Sequence, residues 1–361
     1  MNSKEQGFDT VKYLKSQSFH IRDRLNATNG SQVFMEFGGK PFDDQHAKRV
    51  LPGYDADCKA QLLSSLMLVG KVVMVVNARD ILLPEHGRTL LGRVRDDSGL
   101  RYDHETVRLI KRGRDLNLDI KDVVVSVYPK NPSDQNKRAM DNFREELFQE
   151  GVSMHRHYEI DGYPNASIVK NSDEVFGQND VVAQPNLHLI VFSPGGGSGK
   201  FGFILSEIYH ALRNGQRPGF VKFETFPVLT VASDHALNLA FEAATADLKN
   251  RVISICSDPA RGICTTYDKD FENYQLLKAL FAKYSVGENT SVDQMDDPTA
   301  MSVNRIMDGV INESVIIEAC RIEIQKRIKR YEREAANGIE RQATLDRAQE
   351  INVVFEKKYG N

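Results

Sequence analysis

The chain has 361 residues, of which 41% are hydrophobic and 27% charged, and its net charge is −3 at pH 7. That length supports about two domains with buried cores, and the near-balanced charge excludes a global attraction to nucleic acid or anionic lipid. No apolar run approaches the ~20 residues that cross a bilayer, the start MNSKEQGFDTVKYLKSQ lacks the apolar centre of a signal peptide, and four scattered cysteines fit free thiols in a reducing cytoplasm.

Strand-like and helix-like stretches alternate along most of the chain. This predicts a multi-domain α/β protein with parallel or mostly parallel sheets covered by helices, Rossmann-like and three-layered, plus a C-terminal helical segment. QVFMEF predicts a strand that runs into Gly38, Gly39 and Lys40. The helical DADCKAQLLSSLMLVG then leads to the β-branched run KVVMVVNARD. HETVRLIKRGRDLNL carries Val107, Leu109 and Ile110 at helical spacing, and DVVVSVYP follows as a buried strand. NKRAMDNFREELFQEGV puts Met140, Phe143, Leu147 and Phe148 on one helix face and ends at Gly151. SMHRHYEIDGYP is extended again, so an N-terminal α/β domain is expected over residues 1–180.

A second α/β unit is expected over 181–290: the strand NLHLIVF, a glycine loop, a helix to about Asn214, the strand GFVKFETFPV and a helix from near His235. The polar ENTSVDQMDDPTAMSVN reads as a linker, so 291–361 is expected to hold a linker and a long amphipathic helix. In that helix Ile317, Cys320, Ile324, Ile328 and Tyr331 form one apolar stripe. The stripe suits packing on its own domain; its heptad-like rhythm also suits a homo-oligomer seam through residues 313–335.

The loop SPGGGSGK places Gly195, Gly196, Gly197, Ser198, Gly199 and Lys200 between a strand and a helix. Backbone N–H groups at such a junction surround phosphate oxygens, and the helix N-terminus adds partial positive charge. Against the Walker A pattern GxxxxGK[ST], Gly199 and Lys200 fit, whereas Pro194 occupies the first glycine position and Phe201 the Mg²⁺-binding hydroxyl position. Any metal therefore needs other ligands, with Asp43, Asp44, Asp234 and Asp247 as candidates. Against the dinucleotide pattern, Gly197, Gly199 and Gly202 satisfy GxGxxG, and Glu224 stands about where a ribose-binding carboxylate belongs. A plain structural turn is the third reading.

EFGGKPFDDQHAKR gathers Glu36, Gly38, Gly39, Lys40, Asp43, Asp44, His46 and Arg49 around a glycine pair. It reads as a second anion site beside the first, or as carboxylates and a histidine for a metal or a proton; the alternative is a helix capped by Asp43 or Asp44. Glu242, Thr245 and Asp247 in FEAATADLKN are supporting candidates or parts of a packing helix. Lys222 and Glu224 fall on the same side of a strand, alternating with Phe223, and read as a solvated or salt-bridged pair. His155 and His157 lack a third metal ligand at diagnostic spacing, Cys256 and Cys264 are weak redox candidates, and the short KRGR cluster reads as a solvated helix face.

Several long stretches, GFDTVKYLKSQSFHI, MEFGGKPFDDQHAKRVLPGYD, SPGGGSGK, GFVKFETFPV, NLAFEAATADL and DPTAMSVN, together resemble a bacterial family of uncharacterised proteins carrying a domain of unknown function. The resemblance runs from about Gly7 to Tyr331. It implies a multi-domain α/β protein with a glycine-rich loop and assigns no catalytic residues. Relatives read closer to PGPGSGK in the loop, so Gly196 stands where they have a second proline, and they usually continue past the long helix into a further domain.

The resulting expectation is a protein that binds a nucleotide or another small phosphorylated ligand, ATP or GTP with Mg²⁺ in a phosphoryl-transfer enzyme being one form. NAD(P)-dependent oxidoreduction and a non-catalytic scaffold are the alternatives. Neither a nucleic-acid nor a membrane partner is expected.

Overall fold

The structure, a computed structural model, describes residues 6–28, 31–82, 98–255, 265–284 and 290–360. The strands are β1 (Val33–Phe37), β2 (Gly70–Asn77), β3 (Asp122–Tyr128), β4 (Ser153–Tyr158), β5 (His188–Phe192), β6 (Gly219–Phe223), β7 (Val252–Ser254), β8 (Thr265–Tyr267) and β9 (Ser302–Val303). The helices are α1 (Thr10–Asn26), α2 (Gln45–Val50), α3 (Cys58–Leu66), α4 (Ala78–Ile81), α5 (Tyr102–Asp115), α6 (Asp134–Gln149), α7 (Ser172–Phe176), α8 (Lys200–Arg213), α9 (Ala236–Ala244), α10 (Asp268–Tyr284), α11 (Ile306–Gly309), α12 (Glu313–Ala336) and α13 (Gln342–Tyr359).

Among the described residues, seven strands form one parallel sheet in the order β4-β3-β2-β5-β1-β6-β9, and β7 pairs with β8 as an antiparallel ribbon. Strands from before and after residue 180 interleave in this sheet, because β5 enters between β2 and β1. The continuous apolar runs follow from that position. A strand covered on both faces needs hydrophobic residues of both parities. Met35, Val72, Met74, Ile190, Phe192 and Val221 face one core with Ile21 of α1, Leu63 of α3, Ile110 of α5 and Phe143 of α6. Phe34, Val73, Val75, Leu189, Val191 and Phe220 face the other core with Ile204 and Ile208 of α8 and Leu277 and Phe281 of α10. The result is a three-layer α/β fold.

The C-terminal segment is two helices. The stripe of α12 is covered within the chain: Cys320, Ile324 and Tyr331 are fully buried, and the helix packs on α9, α13 and α2. An oligomer seam would therefore have to use another face. Among the described residues no helix is long and apolar enough to cross a membrane.

Glu323 ties this helix to the sheet domain. Its carboxylate, 1% exposed, accepts from Arg49 Nε at 2.6 Å and Nη2 at 2.9 Å and from Arg327 Nε at 2.8 Å, and it lies 3.4 Å from His46 Nδ1. Burial pushes its pKa up, but the hydrogen bonds from His46 and Arg49 and the charge of Arg327 outweigh that and hold it well below the carboxylate range. The carboxyl is depressed in the folded state, so its contribution is full above the unfolded value and is lost as pH falls through the lower folded one. Glu323→Ala would leave two guanidinium groups without their acceptor and should cost about 3–5 kcal/mol in urea unfolding at neutral pH, with the difference from wild type shrinking in acid.

Candidate functional site

β1, β5 and β6 lie side by side, so their carboxyl ends open at one place. In open parallel sheets that edge, where the strand order reverses, is where ligands bind. Glu36 and Lys222 are register partners on β1 and β6. Both lie on the parity that faces α8 and α10, with Glu224 two residues beyond Lys222 on the same side.

The glycine loop leaves β5 and is held by side chains of its neighbours. Asn77, at the end of β2, donates to the Gly197 carbonyl at 2.9 Å. Ser126, near the end of β3, donates to the Ser198 carbonyl at 2.5 Å, and Ser193 donates to the Gly195 carbonyl at 2.7 Å. Gly199 adopts φ +80°, and a Cβ there would stand 2.6 Å from Ser126 Oγ. Next to Ser126, Val127 adopts φ +52° where the β3–β4 register shifts. Left-handed backbone costs a β-branched residue ~1–2 kcal/mol. The loop carbonyls are thus turned toward the sheet. Among the described residues, no acceptor faces the N–H groups of Gly196, Gly197 or Gly199. Helix α8 starts at Lys200 without a side-chain cap, and the buried Ser198 hydroxyl has no partner among the described residues.

Two buried lysines sit under this loop in different states. Lys222 Nζ donates to Tyr267 Oη at 2.7 Å and to Asp270 Oδ1 at 2.8 Å and Oδ2 at 2.6 Å, and it forms an ion pair with Glu224 Oε1 at 2.5 Å. Lys200 Nζ donates to Ser193 Oγ at 3.0 Å and, among the described residues, otherwise has only Glu36 Oε1 at 3.8 Å. Burial lowers the Lys200 pKa, and the charge of Glu36 opposes that without cancelling it. Burial works against the charge of Lys222, but the Asp270 carboxylate outweighs it and holds the Lys222 pKa up. Burial pushes Glu224 up to about 8; Lys222 opposes this, and the carboxylates of Asp270 and Glu36 reinforce it. Asp270 accepts two hydrogen bonds from Lys222 Nζ, and burial holds the Glu224 carboxyl above the usual carboxylate range. Gly38 makes room for it: a Cβ there would lie 3.0 Å from Glu224 Cγ.

The structure brings Glu36, Gly38, Lys200, the glycine loop and Glu224 together. It does not bring in the rest of the EFGGK cluster. Asp44 caps α2 through the Ala47 N–H and pairs with Lys59 at 2.8 Å, while Asp43 pairs with Arg108 at 2.8 Å. His46 and Arg49 serve Glu323. Gly39 and Lys40 continue the turn, Gly39 with φ +69° and Lys40 half-buried. Glu242 pairs with Arg347 of α13, Thr245 donates to the Phe241 carbonyl, and burial raises the pKa of Asp247, opposed by Arg330 and Arg327. These three side chains thus serve the α9–α12–α13 packing, although Leu248 beyond them lies 3.5 Å from where a Gly196 Cβ would be.

Glu224 is enclosed and bound by Lys222, so it is not presented to a ribose. Among the described residues no group of three or more His, Cys, Asp or Glu is arranged to hold a metal. His155 pairs with Asp122 at 2.7 Å, and His157 is buried against Phe203 with its pKa lowered to about 4 by burial. Arg112 pairs with Asp57, and Lys111 and Arg114 pair with Glu150. Cys256 and Cys264 lie outside the described residues.

Sequence reasoning missed Asn77, Ser126, Tyr267 and Asp270. The first two carried a signal, as polar residues closing β-branched runs at the edge where the loop lies. Tyr267 and Asp270 carried none, since Asp270 meets a lysine 48 positions away.

Two outcomes follow. Gly199→Ala should cost about 1–3 kcal/mol in urea unfolding through the contact with Ser126. A protonated carboxyl should appear in infrared difference spectra, titrate near pH 8 and vanish in Glu224→Gln. With the folded pKa raised, Glu224 contributes stability in full below its unfolded value and loses it as pH rises through about 8. Wild type should therefore weaken relative to Glu224→Gln over that rise.

The chain is similar to a UPF0371 protein of Clostridium botulinum (strain Langeland), 35% identical over 347 residues, which cover 96% of this chain and 65% of that protein. It is also similar to a UPF0371 protein of Streptococcus pyogenes serotype M5, 37% identical over 326 residues, which cover 90% of this chain and 61% of that one. It thus spans less than two thirds of the length of these relatives. The family described as "Domain of unknown function DUF1846, N-terminal" matches residues 6–357, and with nearly every residue inside that match the chain belongs to this family.

Proposed function

We propose that the loop Gly195–Lys200 and the adjoining ends of β1, β5 and β6 bind the phosphate of a nucleotide or another small phosphorylated molecule. The observation that carries this is the state of Lys200. An ammonium group has three N–H donors, and this one, 7% exposed, has a single hydrogen-bond partner among the described residues. A buried charge in that condition is expensive unless a ligand completes it. Phosphate oxygens suit these donors, because they also accept from the loop N–H groups and from the start of α8.

Glu36 adjoins Lys200 and is the carboxylate best placed to meet a nucleotide's Mg²⁺, which usually takes one or two protein carboxylates and completes its shell with phosphate oxygens and water. These features favour a phosphoryl-transfer or nucleotide-dependent enzyme over a dinucleotide oxidoreductase, whose ribose carboxylate would have to be Glu224.

Pyrophosphate, ATP and GTP, each with and without Mg²⁺, should raise the unfolding temperature of wild type, a ligand at 100 times its Kd adding about 2.7 kcal/mol. Lys200→Ala should lose about tenfold or more in affinity. No stabilisation by any of the three, or equal stabilisation of Lys200→Ala, would reject the reading.

A further inference from the structure

A second opening lies beside the edge strand β9, between it, the C-terminal half of α1 and the segment around Thr230. Its volume is about 420 Å³ and its walls include His20, Asp23, Arg24, Thr230, Ser302 and Arg305. That volume lies within the range of small-molecule sites. The sheet order separates this cleft from the glycine loop by three inter-strand steps, about 14 Å.

Arg24 is the unusual member. Its guanidinium carries five donors and makes one hydrogen bond, from Nη2 to the Ala300 carbonyl at 2.6 Å. Among the described residues no carboxylate pairs with it. Burial lowers its pKa. The α1 C-terminus favours a cation by its dipole but supplies no counter-ion. Arg305, by contrast, is occupied: Asp308 accepts from its Nε at 2.8 Å and also from Ser16. Guanidinium groups bind carboxylate or phosphate in bidentate geometry, and half-buried Arg24 lines the cleft with donors to spare.

We infer that this cleft binds the anionic group, carboxylate or phosphate, of a second small molecule, with Arg24 as its anchor and Thr230 and Ser302 as flanking hydroxyls. Ser302 connects the two regions, since its hydroxyl also donates to Glu224 Oε2 at 3.4 Å. A molecule anchored at Arg24 therefore lies on the flank of the buried charge cluster opposite the glycine loop, as an acceptor or effector would. The inference stands on the cleft and on Arg24, and it does not require that the loop bind phosphate.

Phenylglyoxal labelling of the intact protein, read residue by residue by peptide mass spectrometry, tests it. Inorganic phosphate and succinate are the two probes, separating a phosphate-bearing ligand from a carboxylate-bearing one. At least one of them, at ten times its Kd, should slow labelling of Arg24 about tenfold, equally in wild type and in Lys200→Ala. Arg24→Gln, which keeps a donor for the Ala300 carbonyl, should weaken calorimetric binding of that probe to Lys200→Ala protein about tenfold or more. Unchanged labelling of Arg24 under both probes would overturn the inference whatever the variants do. Protection that disappears in Lys200→Ala would overturn it too, by placing the anion at the loop.

Discussion

Two lysines and three carboxyl groups, Lys200, Lys222, Glu36, Glu224 and Asp270, are removed from water at the ends of neighbouring parallel strands, and the arrangement around them answers that constraint. Charges in such a place must be matched in number and in hydrogen bonds or they oppose folding. Lys222 is matched by residues from β6, β8 and α10, which fixes how the β7–β8 ribbon and α10 seat on the sheet. Glu224 is accommodated by its raised pKa and by the absence of a side chain at Gly38. Among the described residues, Lys200 Nζ has a single hydrogen-bond partner. This uneven satisfaction within one network is what the proposed phosphate site rests on.

The polar residues around this cluster divide along the same line. Asp44 with Lys59, Asp43 with Arg108, and His46 and Arg49 with Glu323 pair within the protein and hold elements together. Much of the dense EFGGK segment is therefore architecture: it fastens α2 to α3, α5 and α12 while its first residue, Glu36, reaches the site. One stretch of sequence serves two purposes because β1 ends in the middle of the sheet and its continuation must turn away over the edge.

The strands, the glycine loop and the stripe of α12 were legible, since each depends on local periodicity or on a strand-to-helix junction that a few residues encode. The shared setting of Glu36 and Lys200 was also legible, because both segments follow strands toward the same edge. Partnerships across long separations were not. Nothing near Arg49 announces Glu323, 274 positions away, and nothing near Lys222 announces Asp270, so the ribose role suggested for Glu224 by spacing gave way to a contact with its own strand neighbour. The helix α13 was missed although Leu345, Ala348, Ile351 and Phe355 are buried at helical spacing. Its stripe is narrow, and a charged surface surrounds it.

The anchoring of the glycine loop by Asn77 and Ser126 has an energetic consequence for recognition. A glycine-rich segment is ordinarily the most mobile part of a site, and a ligand that must freeze it forfeits conformational entropy on binding. Here two neighbouring strands hold the loop's carbonyls before any ligand arrives. The loop of the proposed phosphate site is therefore ordered by the protein itself, and side chains on β2 and β3 set its shape.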